Sequence, residues 1–312
     1  MPAISIKKLT KVYAGKPSKN GSGAGVRALH NVDMEVQEGD FFALLGANGA
    51  GKTTIIGILT GLVTKTEGKV TVFGYDLDTQ IDQVKACIGV VPQEMNFNIF
   101  EKVINIVLDQ AGFYGVPRSA AKVRAEEVLK ALALWEKKDT PSRALSGGMK
   151  RRLMIARALM HKPTMLLLDE PTAGVDVELR RGMWEYLKKL NAEGTTIVLT
   201  THYLEEVEQL CKNVVILKKG EKVRDCSVAE LVHGKGSQTY RLILDRDPST
   251  LVDTGLRLTR NNATTADVEL DADQTIGGVV ERITSKGARV LDVRHAASRI
   301  EQAYLELTND TV

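Results

Sequence analysis

Eight consecutive residues constrain this chain more than any others: Gly46-Ala47-Asn48-Gly49-Ala50-Gly51-Lys52-Thr53. The spacing Gly-x-x-x-x-Gly-Lys-Thr lets the backbone turn tightly, so that successive N–H groups point inward at phosphate oxygens. Lys52 supplies a point charge for β- and γ-phosphates, and Thr53 a hydroxyl for Mg²⁺. Asn48, Ala50 and Thr54 complete the nucleotide-contacting set. The flanks predict the surrounding fold. Phe41-Phe42-Ala43-Leu44-Leu45 reads as a buried strand, and Ile55, Ile58, Leu59 and Leu62 form one apolar helical face with Gly61 near its end. The anion then sits at a helix N-terminus, where orphan N–H groups and the helix dipole favour it.

Two further strand ends carry the same chemistry. Met165-Leu166-Leu167-Leu168-Asp169-Glu170 is an apolar run suited to the middle of a parallel sheet, with two carboxylates at its C-terminal end. Asp169 suits the metal ion through water, and Glu170 suits the polarising of an attacking water. Thr195-Thr196-Ile197-Val198-Leu199-Thr200 predicts another strand, ending beside Thr201 and His202. His202 is there positioned to contact a γ-phosphate and hold Glu170 and water in line. Gln93 follows the short strand Ile88-Gly89-Val90-Val91-Pro92, where an amide binds Mg²⁺ weakly; read alone, the pattern favours a surface glutamine. The fold class is α/β.

Taken with Leu145-Ser146-Gly147-Gly148-Met149, these residues resemble an ABC-type ATPase, the nucleotide-binding subunit of ABC transporters. In the family's order, residues 46–53 match Walker A, Gln93 the Q-loop, Leu145 to Met149 the signature, and Met165 to Glu170 Walker B. Ala173-Gly174-Val175-Asp176 matches the D-loop and His202 the switch histidine. Tyr13 falls where the family places an aromatic that stacks on adenine; otherwise it packs on the core as a strand tyrosine. Met149 departs from the usual glutamine. The resemblance runs from about Ile4 to Arg224. It implies a P-loop NTPase (RecA-like) core with an antiparallel β subdomain and a helical subdomain. ATP and Mg²⁺ are the implied ligands, and ATP hydrolysis, with Lys52, Glu170 and His202 as catalytic groups, is the implied reaction.

Ser146 is placed to cap a helix, with Gly147 and Gly148 allowing close backbone approach. Met149, Leu153, Ala156 and Leu159 then share one helix face, while Lys150, Arg151, Arg152 and Arg157 fall mainly on the other, read as largely solvated. In the family, this helix end meets the γ-phosphate held by an opposing subunit, so the resemblance implies a head-to-tail homodimer with two sandwiched nucleotides. Asp176 joins the nucleotide-contacting set on the same basis.

The reading divides the chain into an ATP-binding domain over 1–225, with its helical subdomain at about 94–162, and a small α+β accessory domain over 226–312. The Gly/Ser-rich segment 15–25 reads as a flexible loop. Met95, Phe97, Ile99 and Phe100, after Gln93, either line the groove that receives a helix of the membrane subunit or pack internally. In the tail, strands are predicted near Thr239–Leu244, Asp267–Leu270 and Arg289–Val293, and a helix over Gln274–Ile283. Ser298 and Glu301 form a capping box before a final helix presenting Ile300, Ala303, Tyr304 and Leu307. That ending resembles ATPases serving ABC-2-type membrane subunits, the YadG-like group among them. Separate integral membrane permease subunits, and export, follow by implication.

Composition bounds the alternatives. The net charge of +3 offers no broad basic field for nucleic acid. No apolar run reaches transmembrane length, and Met1-Pro2-Ala3-Ile4-Ser5 lacks a secretory pattern. Cys87, Cys211 and Cys226 read as free thiols. The expectation is a cytoplasmic protein, peripheral on the inner face of the cell membrane through its permease. An ABC-type ATPase powering a soluble assembly or repair machine is the second reading. Such repair members split the cassette with a coiled coil, and translation members carry two cassettes; neither feature is present here.

Overall fold

The computed structural model describes residues 1–15, 17–18, 21–22, 25–172, 175, 177–233, 238–251, 255–270, 274–296 and 299–308. Two compact units, Met1–Cys226 and Ser227–Val312, divide the chain.

The first unit opens with the long strand β1 (Pro2–Tyr13). The two-residue strands β2 (Pro17–Ser18) and β3 (Gly21–Ser22) pair with each other inside the Gly/Ser-rich segment, whose residues 16, 19, 20, 23 and 24 lie outside the described residues. Strand β4 (Val26–Gln37) runs antiparallel to β1 with Ser5 opposite Glu35. Next, β5 (Phe41–Gly46) enters the second sheet with every residue buried, and α1 (Lys52–Leu59) follows. Helix α1 stops at the glycine that the sequence offers as its end, so the last apolar position, Leu62, falls outside it. Gly61 adopts φ 73° and the amides of Leu62 and Val63 turn back onto Gly57 O, at 2.8 and 2.9 Å. That left-handed stop carries Leu62 out of the helix, leaving it 84% exposed instead of on the core face.

Strands β6 (Glu67–Val72) and β7 (Tyr75–Asp76) return to the antiparallel sheet, giving the order β4-β1-β6-β7. Helix α2 (Ile81–Cys87) leads into β8 (Ile88–Val91). Three helices follow: α3 (Val103–Phe113), α4 (Arg118–Ala131) and α5 (Gly147–Ala158). They pack on one another through residues such as Val107, Ala125, Leu129 and Leu153, all buried. The remaining core elements are β9 (Met165–Asp169), α6 (Val177–Ala192), β10 (Thr196–Thr201), α7 (Leu204–Leu210), β11 (Asn213–Lys218) and β12 (Glu221–Ser227).

The second sheet has the order β12-β11-β5-β10-β9-β8, and its pairs from β11 to β8 are parallel. Both faces are covered, which is why β5, β9 and β10 tolerate unbroken burial. Parallel direction brings the C-terminal ends of β5, β8, β9 and β10 to one edge of the sheet.

The second unit starts with α8 (Val228–His233) and holds an antiparallel sheet of β13 (Gln238–Leu244), β14 (Arg257–Arg260), β15 (Thr265–Leu270) and β16 (Val290–His295), in the order β14-β15-β13-β16. Helix α9 (Ile276–Ser285) contributes Val279 and Ile283 to a core with Leu242, Leu244, Val268 and Leu270. The final helix, α10 (Arg299–Thr308), packs on α8, and Ser298 of the expected capping box lies outside the described residues. Strand β14 is an element that the sequence reading passed over.

Candidate functional site

The glycine turn between β5 and α1 closes because two glycines make room. Gly51 has φ 109°, and a Cβ there would lie 2.6 Å from Leu29 Cδ2 and 2.9 Å from Ala28 O. A Cβ on Gly46 would meet Leu217 O at 2.6 Å. The turn is therefore clasped by β4 on one side and β11 on the other. Lys52 begins α1, is almost fully buried, and donates from Nζ to Gly46 O (2.6 Å) and Ala47 O (3.1 Å). Burial pushes its ammonium below the ordinary lysine value, while the nearby charges of Glu170 and Asp169 oppose that shift. Asn48, Gly49 and Thr53 are exposed, Thr54 is half-buried, and Ala50 is buried. Tyr13 Oη lies 3.5 Å from Thr54 Oγ1, and its ring is 38% exposed beneath Lys11 Nζ at 4.8 Å. Tyr13 thus flanks the cradle and is no core tyrosine.

Across the sheet edge, three predicted groups converge. Gln93 Nε2 donates to Glu170 Oε2 at 3.1 Å, and His202 Nδ1 donates to Glu170 Oε1 at 3.0 Å. Both carboxylate oxygens are thereby held, one from the end of β8 and one from the end of β10. Glu170 is 7% exposed. Its backbone stands at φ 47°, the left-handed region, which costs a non-glycine residue about 1–2 kcal/mol. Its amide donates to Thr200 O at 2.9 Å. Asp169, also buried, accepts a hydrogen bond at Oδ1 from Thr200 Oγ1. Thr200 is a partner that the sequence reading left without a role; a hydroxyl closing a buried strand beside the Asp-Glu end was the available signal.

Ser146 caps α5 as its spacing predicts, accepting from Met149 N at 3.3 Å. Ser146 and Gly147 are exposed, and a Cβ on Gly147 would meet nothing within 4 Å, so this edge faces open space. Gly148 is buried. Asp176 lies outside the described residues, as do Ala173 and Gly174.

The basic face of α5 is not a solvated one. Arg151 is 4% exposed and bonds backbone carbonyls of Pro92, Gln93, Asp169, Glu170 and Pro171. Arg152 donates to Leu132 O at 3.0 Å, and Arg157 bonds Asn96. The grouping of these charges on the face opposite the apolar one suggested solvent, whereas the protein's own carbonyls take the arginine donors. A spacing signal existed: Arg151 falls three residues after Gly148 and four before Ile155, both buried. In the loop after Gln93, Met95, Ile99 and Phe100 are exposed by 46, 46 and 67%, and Phe97 is half-buried, so internal packing accounts for Phe97 alone.

Comparison with known proteins agrees with this geometry. Residues 29–173 match the ABC transporter family. The linearmycin resistance ATP-binding protein LnrL of Bacillus subtilis (strain 168) is 33% identical over 296 residues, covering 91% of this chain and 94% of that protein. The chain belongs to the ABC transporter ATP-binding family. The Nod factor export ATP-binding protein I of Burkholderia orbicola (strain AU 1054) is 32% identical over 309 residues, with 98% and 96% coverage. A dimeric ATP-binding cassette in a post-hydrolysis state, bound to ADP and Pi, superposes with TM-score 0.64 at 30% identity, covering 72% of this chain and 98% of the cassette. This family member is an ATP-binding, ATP-hydrolysing transporter subunit with the α/β P-loop NTPase fold. Among the described residues, no helix is long and apolar enough to cross a membrane.

Proposed function

We propose that this subunit is the motor of an export system: two copies close head to tail around two ATP molecules, and hydrolysis reopens them. The observation that carries the reading is the Glu170 carboxylate, held by Gln93 and His202 at the sheet edge that also carries the glycine turn. Glu170 polarises the attacking water. His202 orients Glu170 through Nδ1 and keeps its second ring nitrogen for the γ-phosphate. Lys52 exchanges its carbonyl partners for phosphate oxygens, the backbone of 46–53 cradles the phosphates, and Tyr13 stacks on adenine. The copy opposite supplies Ser146, Gly147, Gly148 and Asp176.

Mg²⁺ fits the donors present. Thr53 offers an exposed hydroxyl, Asp169 keeps Oδ2 beyond its bond to Thr200, and Gln93 keeps its carbonyl oxygen while its amide nitrogen serves Glu170. This all-oxygen set suits a hard cation that retains water and phosphate ligands. When bound, the ion neutralises charge on the phosphates.

The driven partner is a separate integral membrane permease, which holds this subunit at the inner face of the cell membrane. Exposed Met95, Ile99 and Phe100 form part of the docking surface, with Phe97 supporting them from beneath. The names of the relatives, linearmycin resistance and Nod factor export, support export as the direction. The test is Glu170→Gln. ATP affinity stays within a few-fold, turnover falls by about 10²-fold or more, and light scattering finds an ATP-dependent dimer. Wild-type turnover in that variant overturns the role of Glu170. Retained co-purification with the permease after Phe97→Ala with Phe100→Ala overturns the docking assignment.

A further inference from the structure

The left-handed backbone of Glu170 needs something to hold it, and the same side chain that the helix pattern hid provides it. Arg151 lies just over one turn into α5. Its Nη2 donates to Asp169 O at 2.9 Å and to Glu170 O, and its Nε donates to Pro171 O at 2.5 Å. Three consecutive carbonyls thus converge on one guanidinium at the residue where the chain takes its unfavourable turn. From the opposite edge, Nη1 donates to Pro92 O at 2.8 Å and Gln93 O at 2.9 Å. Five carbonyl contacts match the five N–H donors of a guanidinium. Among the described residues, no carboxylate forms an ion pair with Arg151; the charges of Asp169, Glu206 and Glu170 act on it from beyond direct contact.

We propose that Arg151 is a positioning residue for hydrolysis: it locks the Glu170 turn in its left-handed conformation and ties that turn to the start of the Gln93 loop and to the helix capped by Ser146. The inference rests on Glu170 being the group that polarises water. Its physical basis is geometric. A planar fork can bridge two chain segments at fixed angles, whereas an ammonium of the same charge presents donors from a single point. The consequence is mechanical. Gln93, Glu170 and the Ser146-Gly147-Gly148 edge belong to one rigid group, so a displacement of α5 reaches the carboxylate without passing through solvent or nucleotide.

The experiment pairs Arg151→Lys with Arg151→Ala in the full chain, beside Glu170→Gln as reference. Arg151→Lys keeps the charge and most of the volume. It is expected to bind ATP with Kd within about 3-fold of wild type while kcat drops roughly 10-fold or more, since small misplacement of a reacting group is costly. Hydrogen exchange in peptides covering 92–94 and 169–172 rises together in that variant, while α1 keeps wild-type protection. Arg151→Ala regains turnover with millimolar ethylguanidinium and not with ethylammonium at equal concentration. Wild-type kcat in Arg151→Lys overturns the proposal, provided that Glu170→Gln is inactive; an active Glu170→Gln overturns the reading of Glu170 itself. Parallel loss of ATP affinity, Tm and turnover in both arginine variants, with no ethylguanidinium rescue, assigns Arg151 to general stability and also overturns the proposal.

Discussion

The parallel sheet of the first unit and the antiparallel sheet of the second handle their polar residues in opposite ways. Strands β5, β9 and β10 are buried along their whole length. Strand β15 alternates instead: Ala266, Val268 and Leu270 face the core, while Asp267 and Glu269 pair outward with Arg241 and Arg257. A sheet covered on both faces has no place for charge except at strand ends, and parallel direction stacks those ends along one edge. Lys52, Gln93, Asp169, Glu170 and His202 meet for that reason. A sheet with one solvated face scatters its charges across that face, and the pairs formed there are shared with water.

Three measurements bear on this contrast. The largest effect belongs to Lys52→Ala. Loss of a charge-assisted phosphate contact worth about 1.5–3 kcal/mol weakens ATP binding roughly 10- to 150-fold by calorimetry; unchanged affinity would mean that the edge does not concentrate the chemistry. A smaller effect is expected from Glu206→Gln. Glu206, on α7 behind the strand ends, is fully buried and accepts from Thr172 Oγ1. Burial raises its carboxyl above the ordinary glutamate value, against the hydrogen bonds from Thr172 and Thr201 and the charge of Arg180. The folded state therefore favours the protonated form. Its stabilising contribution is complete below the ordinary glutamate range and is lost as pH rises through the raised value. Tm of the wild type should fall relative to Glu206→Gln as pH increases across that window, and the two should converge in acid. A variant less stable than wild type at pH 8 would show that the carboxylate is well paired. The smallest effect is that of Arg241→Ala on the solvated face. It removes the paired contacts to Asp267 at 2.8 and 2.9 Å, yet Tm should move by less than about 2 °C and ATP turnover not at all.

Much of the site was legible because its signals are local. The strand–turn–helix around Gly46 to Thr53, the apolar run ending at Asp169 and Glu170, and the cap at Ser146 each depend on neighbours in the chain. Reading stopped where a residue's partners come from distant segments. Gly61 was a local stop signal and does end the helix, so Leu62, one residue on, leaves the apolar face that its spacing suggested. Helices α6 and α7 and strand β14 were not assigned, although α6 lies between the segments of Asp169-Glu170 and His202 and α7 directly follows the latter. Arg151 looked like one charge among several on a helix surface, because backbone carbonyls carry no residue identity that a sequence pattern can register.

Sequence alone determined which residues end the buried strands and which turn can grip a phosphate, since periodicity and glycine spacing act through adjacent atoms. Tertiary structure alone decided that Gln93 and His202 take separate oxygens of Glu170, and that Arg151 fastens the strained turn beneath it. Those contacts join residues 32 to 77 positions apart for His202 and Gln93, and 19 apart for Arg151. They exist only once packing has brought these distant segments together at one edge of the sheet.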